Sequence, residues 1–115
     1  GEQAKIQRLM RKFEQNPFSP PGFKDCQTEV GEEIINALIE LGELVQVSAD
    51  VIFRKSDYDS MKMKTQQVIE QNGRITLAEV RDLFNTSRKY AQALMENFDA
   101  IGFTLRDGDF RKLRK

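Results

Sequence analysis

Apolar residues in the first part of the chain recur at helical spacing. Four of the first fifteen residues stand at i, i+3, i+4 and i+7, namely Ile6, Leu9, Met10 and Phe13. This spacing predicts one face of a helix that ends before Pro17. We expect Ser19-Pro20-Pro21 to form the cap and first turn of a short second helix. A third helix is expected to stop at Gly42. Its apolar residues are Ile34, Ile35, Leu38 and Leu41.

Two short apolar runs follow this third helix. They are Leu44, Val45 and Val47, then Val51, Ile52 and Phe53, with Ser48-Ala49-Asp50 between them. Runs rich in β-branched residues on both sides of a short polar turn predict a β-hairpin.

The second half of the chain repeats this order of elements. Ser56 can cap a helix that ends near Gly73 and carries Tyr58, Met61, Thr65, Val68 and Ile69 on one face. A brief strand is expected at Arg74-Ile75. Thr76 and Glu79 have the spacing of a capping box, which predicts the start of a further helix. The inward residues of that helix are expected to be Leu77, Val80, Leu83 and Phe84.

The last predicted helix runs from Thr86 to a stop at Gly102. Its inward face is expected to hold Tyr90, Leu94, Phe98 and Ile101. Two short strands, residues 103–105 and 110–113, then flank the turn Asp107-Gly108-Asp109. Gly108 can take a positive φ in such a turn at little cost.

Three helices followed by a β-hairpin make a winged helix, which is a helix-turn-helix with an appended wing. Leu41-Gly42 and Ile101-Gly102 stand 60 positions apart, and a predicted hairpin follows each pair. The expected fold is therefore mainly α with small β-hairpins, as two tandem winged-helix domains at residues 1–55 and 56–115.

The composition argues against catalysis and metal binding. The 115 residues include no histidine and a single cysteine, Cys26, which we expect to be a small buried apolar residue. No Gly-rich phosphate loop or nucleophile elbow is present, so an enzyme is disfavoured and no cofactor is expected. The absence of an internal disulfide suits a reducing, cytoplasmic setting, and no apolar run suits a membrane. Because the chain begins with Gly1, we expect it to be part of a longer protein.

Charge is unevenly distributed along this neutral chain. Residues 1–60 hold 7 basic and 11 acidic side chains, whereas residues 61–115 hold 11 and 7. Arg88 and Lys89 open the last helix, although the positive end of a helix dipole favours acidic residues. Backbone N–H groups and cations at one helix start form a natural phosphate site, so nucleic acid is the first partner expected.

The predicted wing of the second domain is also basic. Arg106 and Arg111 flank its turn, and the planar guanidinium suits phosphate and guanine edges. Charged residues that protect an edge strand from aggregation are the alternative reading. The first domain lacks both features, since its third helix opens with Glu32 and Glu33 and its turn holds no cation. It is expected to act as a spacer.

Four segments of the second half together resemble a known family. They are LAEVRDLF (77–84), TSRKYA (86–91), FDAIG (98–102) and RDGDFR (106–111). Their combination closely resembles the last winged-helix domain of bacterial SelB, the selenocysteine-specific elongation factor. The resemblance is strong over about the last third of the chain and extends loosely to the rest through the tandem arrangement.

The resemblance implies an mRNA-binding part of an elongation factor whose GTP-binding domains lie outside this chain. SelB proteins bring selenocysteyl-tRNA to the ribosome at recoded UGA codons, and their C-terminal winged helices hold the selenocysteine insertion (SECIS) hairpin of the mRNA. Ribosome and tRNA would be partners through the parent factor, and a monomer is expected. The implied RNA-binding residues are Thr86, Ser87, Arg88, Lys89, Arg106 and Arg111.

Two other functions fit the same predicted fold. A DNA-binding transcriptional regulator would lay the last helix in a major groove, but no dimerisation helix is evident. A protein–protein scaffold is compatible with the zero net charge. A-form RNA has a major groove too narrow to admit a helix, so an RNA-binding version should clamp the backbone and read a loop base.

Overall fold

The computed structural model describes residues 1–114. The chain divides into two compact units, with unit 1 spanning Gly1–Tyr58 and unit 2 beginning at Asp59. The sequence prediction placed the domain boundary at residue 55, three residues earlier. Both positions fall at the start of helix α4 (Lys55–Asn72), which contributes its first turn to unit 1.

Unit 1 consists of three helices and a two-stranded antiparallel sheet. Its elements are α1 (Glu2–Gln15), α2 (Phe23–Val30), α3 (Glu32–Glu40), β1 (Leu44–Gln46) and β2 (Ile52–Arg54). Leu44 lies opposite Arg54 in the strand register. The fully or largely buried core residues are Leu9, Phe13, Cys26, Val30, Ile35, Leu44 and Ile52. The predicted apolar face of α1 therefore packs inward, as its spacing required.

Helix α2 begins later than the sequence suggested. Its N-cap is Gly22 and its first residue is Phe23, so the prediction that Ser19 caps this helix was wrong. The backbone N–H of Phe23 donates to the carbonyl oxygen of Asp50 at 2.8 Å, which ties the helix start to the hairpin turn. A Cβ at Gly22 would stand 2.7 Å from Asp50 Oδ1. A side chain at position 22 would therefore require the Asp50 carboxylate to move.

Cys26 lies in the core of unit 1 with no exposed surface. Burial, followed by the neighbouring charges of Asp25 and Glu29, raises the pKa of its thiol from 9.0 to about 12. We expect the native thiol to react roughly a thousandfold more slowly than an unfolded one, because only the thiolate is nucleophilic. Reaction with a disulfide reagent at pH 8, with and without denaturant, measures this. Equal rates would contradict the burial.

The same pKa shift makes the stability of unit 1 depend on alkaline pH. Below pH 9 the Cys26 thiol is protonated in both folded and unfolded chains, so its contribution to folding is fully present and does not change with pH. Between pH 9 and about 12 the unfolded chain ionises first, so the contribution of Cys26 to folding is lost as the pH rises.

Unit 2 repeats the helical order and adds a strand. The rest of α4 is followed by β3 (Ile75–Thr76), α5 (Leu77–Leu83), α6 (Arg88–Ala100), β4 (Thr104–Asp107) and β5 (Phe110–Leu113). The strands form one antiparallel sheet in the order β3-β5-β4. The predicted capping box is present, since Glu79 N–H donates to Thr76 Oγ1 at 3.1 Å and Thr76 N–H donates to Glu79 Oε1 at 2.9 Å.

Three apolar residues predicted to point inward lie on the surface instead. Leu41, Leu83 and Ile101 are 76%, 41% and 52% exposed. Leu41 and Ile101 are the C-caps of α3 and α6, and Gly42 and Gly102 then turn the chain with positive φ. Leu83 ends the short helix α5. Helical periodicity no longer determines burial where the chain leaves the helix.

The remaining predicted helical faces pack as expected. The buried residues of unit 2 include Met61, Thr65, Ile69, Val80, Leu94 and Phe98. The rings of Phe98 and Phe103 meet edge to face with centroids 5.1 Å apart, which joins α6 to the start of the wing. Within residues 1–114, no helix has the length and apolarity needed to cross a membrane.

Candidate nucleic-acid interface

Helix α6 starts differently from the matching helix of unit 1. Ser87 is the N-cap but makes no side-chain cap hydrogen bond, and the first turn holds no acidic residue. Helix α3 at the corresponding place in unit 1 has Glu32 and Glu33 in its first turn. With no acidic side chain to offset it, the helix dipole therefore leaves positive potential at the start of α6.

Arg88 is the first residue of α6 and its side chain is exposed. Among residues 1–114 it makes no hydrogen bond or ion pair with another side chain. Such an unpaired guanidinium is able to form two parallel hydrogen bonds to a phosphate.

The other three predicted residues at this helix start have different surroundings. The Nζ atom of Lys89 lies 5.4 Å from the centroid of the Tyr90 ring, which is half-buried. Thr86 is half-buried and its backbone N–H donates to the carbonyl of Arg81 at 3.0 Å. Ser87 is exposed. Further along the helix, Glu96 is exposed but Met95 is only 2% exposed, so Met95 does not share the outer face with Arg88.

The wing places its two predicted arginines directly opposite each other. Arg106 on β4 pairs in register with Arg111 on β5. Arg106 is exposed, and its Nε donates to the carbonyl of Gly108 at 3.1 Å. Gly108 has a φ of 63°, which confirms the predicted turn geometry. The hairpin turn therefore holds one guanidinium nitrogen of Arg106, while the side chain stays exposed.

Unlike Arg106, Arg111 is almost fully buried, with 7% of its surface exposed. Its Nε lies 3.1 Å from Asp99 Oδ2 and 3.3 Å from Asp99 Oδ1. Thr104 donates its hydroxyl to the same Oδ1 at 2.6 Å. Asp99 belongs to α6, so Arg111 first serves to join the wing to that helix, and its predicted contact with RNA stays a prediction.

Arg88, Arg106 and Arg111 line one cavity of about 350 Å³, which lies between the starts of α5 and α6 and the wing. Its lining is Thr76, Leu77, Ala78, Arg81, Arg88, Arg106, Asp109 and Arg111. A smaller cavity of about 100 Å³ adjoins it and shares Arg88, Arg106 and Arg111. We call the larger cavity the basic cleft, since four arginines and one aspartate line it.

The structure thus brings together three of the six predicted residues, Arg88, Arg106 and Arg111, and adds Arg81. Sequence reasoning missed Arg81, whose only local signal is its place four residues after Leu77 on the same face of α5. Its Nε lies 3.5 Å from Asp82 Oδ1 in an exposed pair, which constrains it weakly. Thr86, Ser87 and Lys89 do not line the cleft.

Other basic residues of unit 2 are engaged outside this cleft. Lys112 pairs with Asp107 at 3.1 Å, and the guanidinium of Arg74 stacks 3.7 Å from the centroid of the Phe110 ring. In the part of the chain that the structure describes, no three His, Cys, Asp or Glu side chains are placed to hold a metal ion.

Comparison with known proteins shows which family the sequence resembles. Residues 67–113 match the family model described as the winged helix of elongation factor SelB. The whole chain is 28% identical to the selenocysteine-specific elongation factor of Desulfomicrobium baculatum, over 19% of that protein's length. The corresponding factor of Haemophilus influenzae is 35% identical over 65% of this chain and 12% of its own length. The chain thus spans a fifth or less of these relatives.

Two solved structures share the fold. The mRNA-binding domain of elongation factor SelB from E. coli, in complex with SECIS RNA, superposes with a TM-score of 0.78 at 24% identity. The match covers 99% of this chain and 97% of that one. A bacterial selenocysteine-specific elongation factor, EF-Sec, also gives 0.78 at 18% identity, over 96% of this chain and 18% of that one. By these matches, residues 67–113 resemble the winged helix of the SelB elongation factors, and the whole chain has the fold of a SelB mRNA-binding domain.

Proposed function

We propose that unit 2 binds an mRNA hairpin of the SECIS type, holds its phosphates at the basic cleft and reads one base of its loop. The observation that carries the proposal is the convergence of Arg81, Arg88 and Arg106 at a helix start that lacks an acidic partner. The E. coli relative described in complex with SECIS RNA supports the same class of ligand.

The cleft suits phosphate because several donors point at one place. The positive end of the α6 dipole and the guanidinium groups of Arg88 and Arg106 act together. Four or five phosphate contacts would give a slope of log affinity against log salt of roughly −3 to −4. A loop base stacked or enclosed at this surface would add about 1–3 kcal/mol of selectivity.

The charge pattern of α6 favours a hairpin over a DNA duplex. Its first turn carries Arg88, whereas Glu96 is exposed two turns later. A helix lying along a major groove would bring Glu96 near phosphates, which repel it. Contact confined to the first turn and the wing suits the backbone and loop of an RNA hairpin.

Unit 1 would act as a spacer between the RNA-binding unit and the rest of a longer factor. Its hairpin turn, residues 48–50, carries no cation, and Glu32 and Glu33 occupy the start of α3. Through that factor the chain would take part in delivering selenocysteyl-tRNA to the ribosome at UGA codons. The bound hairpin would mark the UGA codon to be recoded.

The proposal is tested by titrating the protein at two salt concentrations against three ligands. These are a SECIS-type RNA hairpin, the same hairpin with one loop base changed, and the matching DNA duplex. Tight binding to the first alone supports loop-specific RNA recognition. Equal or stronger binding to DNA would favour a DNA-binding regulator, and no binding to any ligand would favour a protein–protein scaffold.

Arg81 provides a prediction that the sequence alone did not offer. We expect Arg81→Gln to weaken hairpin binding about two- to fivefold and to make the salt slope shallower by somewhat less than one, as loss of one phosphate contact does. Lys64→Gln is the matched control, because Lys64 is an exposed cation of α4 that does not line the cleft. Equal effects of the two substitutions would show that net charge, and not the cleft, governs binding.

A further inference from the structure

We propose that Asp99 is a positioning residue, whose carboxylate holds the wing arginines in place against the start of α6. The expected effect on RNA affinity rests on the proposed function. The contacts of Asp99 that suggest the role lie within unit 2 and involve no ligand. Asp99 is an acid next to a surface that would bind an anion, so its presence calls for a compensating role.

One carboxylate joins three elements of unit 2. Asp99 lies in the last turn of α6, Thr104 is the first residue of β4, and Arg111 lies in β5. Thr104 donates to Asp99 Oδ1 at 2.6 Å, and Arg111 Nε donates to Oδ2 at 3.1 Å. Thr104 and Arg111 are 2% and 7% exposed, whereas the Asp99 side chain is 27% exposed, so these bonds are partly shielded from water. Partly buried charge-assisted hydrogen bonds of this kind fix orientation as well as adding stability.

The register of the wing explains why this acid is needed. Arg106 and Arg111 are directly opposite across β4 and β5, and like charges at such positions repel. Asp99 compensates the charge of Arg111, which leaves Arg106 free of that repulsion and directed to the cleft. The same bonds fix the wing, with Arg106, relative to the helix that begins with Arg88.

A positioning role for Asp99 predicts the opposite change in RNA affinity from the one that charge alone predicts. Removing an acid near an anion-binding surface should strengthen binding, because it lowers repulsion of phosphate. If Asp99 positions the wing, neutralising it should instead weaken binding, because Arg106 and Arg88 no longer stand at a fixed separation.

Asp109 provides the matched control. It lines the basic cleft, is exposed, and forms no hydrogen bond or ion pair with another side chain among residues 1–114. Asp109→Asn removes the same charge without touching the network around Asp99. We expect Asp99→Asn to weaken binding to a SECIS-type hairpin about five- to tenfold, and Asp109→Asn to strengthen it about twofold.

Thr104→Val provides a second variant that keeps the charge and nearly the shape. It removes only the hydroxyl that donates to Asp99, and we expect it to weaken binding about two- to fourfold. Affinities are measured well below the unfolding temperature, with the fold of each variant verified by circular dichroism. If Asp99→Asn strengthens binding as Asp109→Asn does, or if both network variants lower stability but leave affinity and salt slope unchanged, the positioning role is overturned.

A measurement without RNA separates this inference from the proposed function. Residual dipolar couplings of the backbone amides report the orientation of β4 and β5 relative to α6. We expect these couplings to change in Asp99→Asn and Thr104→Val and to stay constant in Asp109→Asn. Unchanged couplings in the network variants would overturn the positioning role, whereas changed couplings in a protein that binds no hairpin would overturn only the proposed function.

Discussion

Replacing Arg88 by alanine is expected to lower the affinity for a SECIS-type hairpin about tenfold, and replacing it by glutamate about a hundredfold. Arg88 is the one cation placed at the first position of α6, where it lines both the basic cleft and the smaller adjoining cavity. Alanine removes a charge-assisted bond to phosphate, and glutamate adds repulsion at the positive end of the helix. Titration at fixed salt measures both losses.

The loss should be similar for hairpins that differ in one loop base, because phosphate contacts carry no sequence information. Lys5→Glu is the control, since Lys5 is an exposed cation in the first turns of α1 in unit 1. A loss below about twofold for Arg88→Ala would count against the role of Arg88. Hairpin binding that is unaffected by reversing the charges of both Arg88 and Lys89 would show that the start of α6 does not contact the RNA.

Replacing Phe98 by alanine is expected to destabilise unit 2 by about 3–5 kcal/mol. Phe98 is fully buried in α6 and meets the ring of Phe103 edge to face. Truncation removes this contact and leaves a cavity that a well-packed core closes only in part. A unit of about sixty residues has roughly 3–9 kcal/mol of total stability, so the substitution should leave much of it unfolded.

Urea denaturation, followed by circular dichroism, measures the loss. Leu105→Ala in β4 is the control, because Leu105 is 54% exposed and its truncation should cost less than about 0.5 kcal/mol. Similar losses for the two variants would show that the packing around Phe98 does not determine the stability of unit 2.

Much of the fold followed from local patterns in the sequence. The spacing of Leu9 and Phe13 predicted the buried face of α1, and the Thr76–Glu79 capping box located the start of α5. The predicted turn is present with Gly108 at positive φ, although Asp107 belongs to strand β4 and only Gly108 and Asp109 form the turn. These features depend on residues a few positions apart, where helix period, capping and turn chemistry act directly.

Predictions failed where contacts between distant residues decided the outcome. Gly22, rather than Ser19, caps α2, and the backbone N–H of Phe23 is bonded to the carbonyl of Asp50 in the hairpin. Leu41 and Ile101 continue a helical pattern in the sequence, but they lie at C-caps where the chain turns outward. No local pattern contains that information.

By itself the sequence determined that a basic helix start and a basic wing exist, because a charge at a capped helix end or beside a hairpin turn is read from neighbouring residues. Only the tertiary structure decided which cations share a surface. It brought Arg81 to the cleft beside Arg88 and Arg106, and it committed Arg111 to Asp99 twelve positions away. The physical reason is that the packing of helices against the sheet decides which side chains come together and which are buried. A charged residue of the sequence can therefore either stay accessible to a ligand or form an ion pair inside the protein.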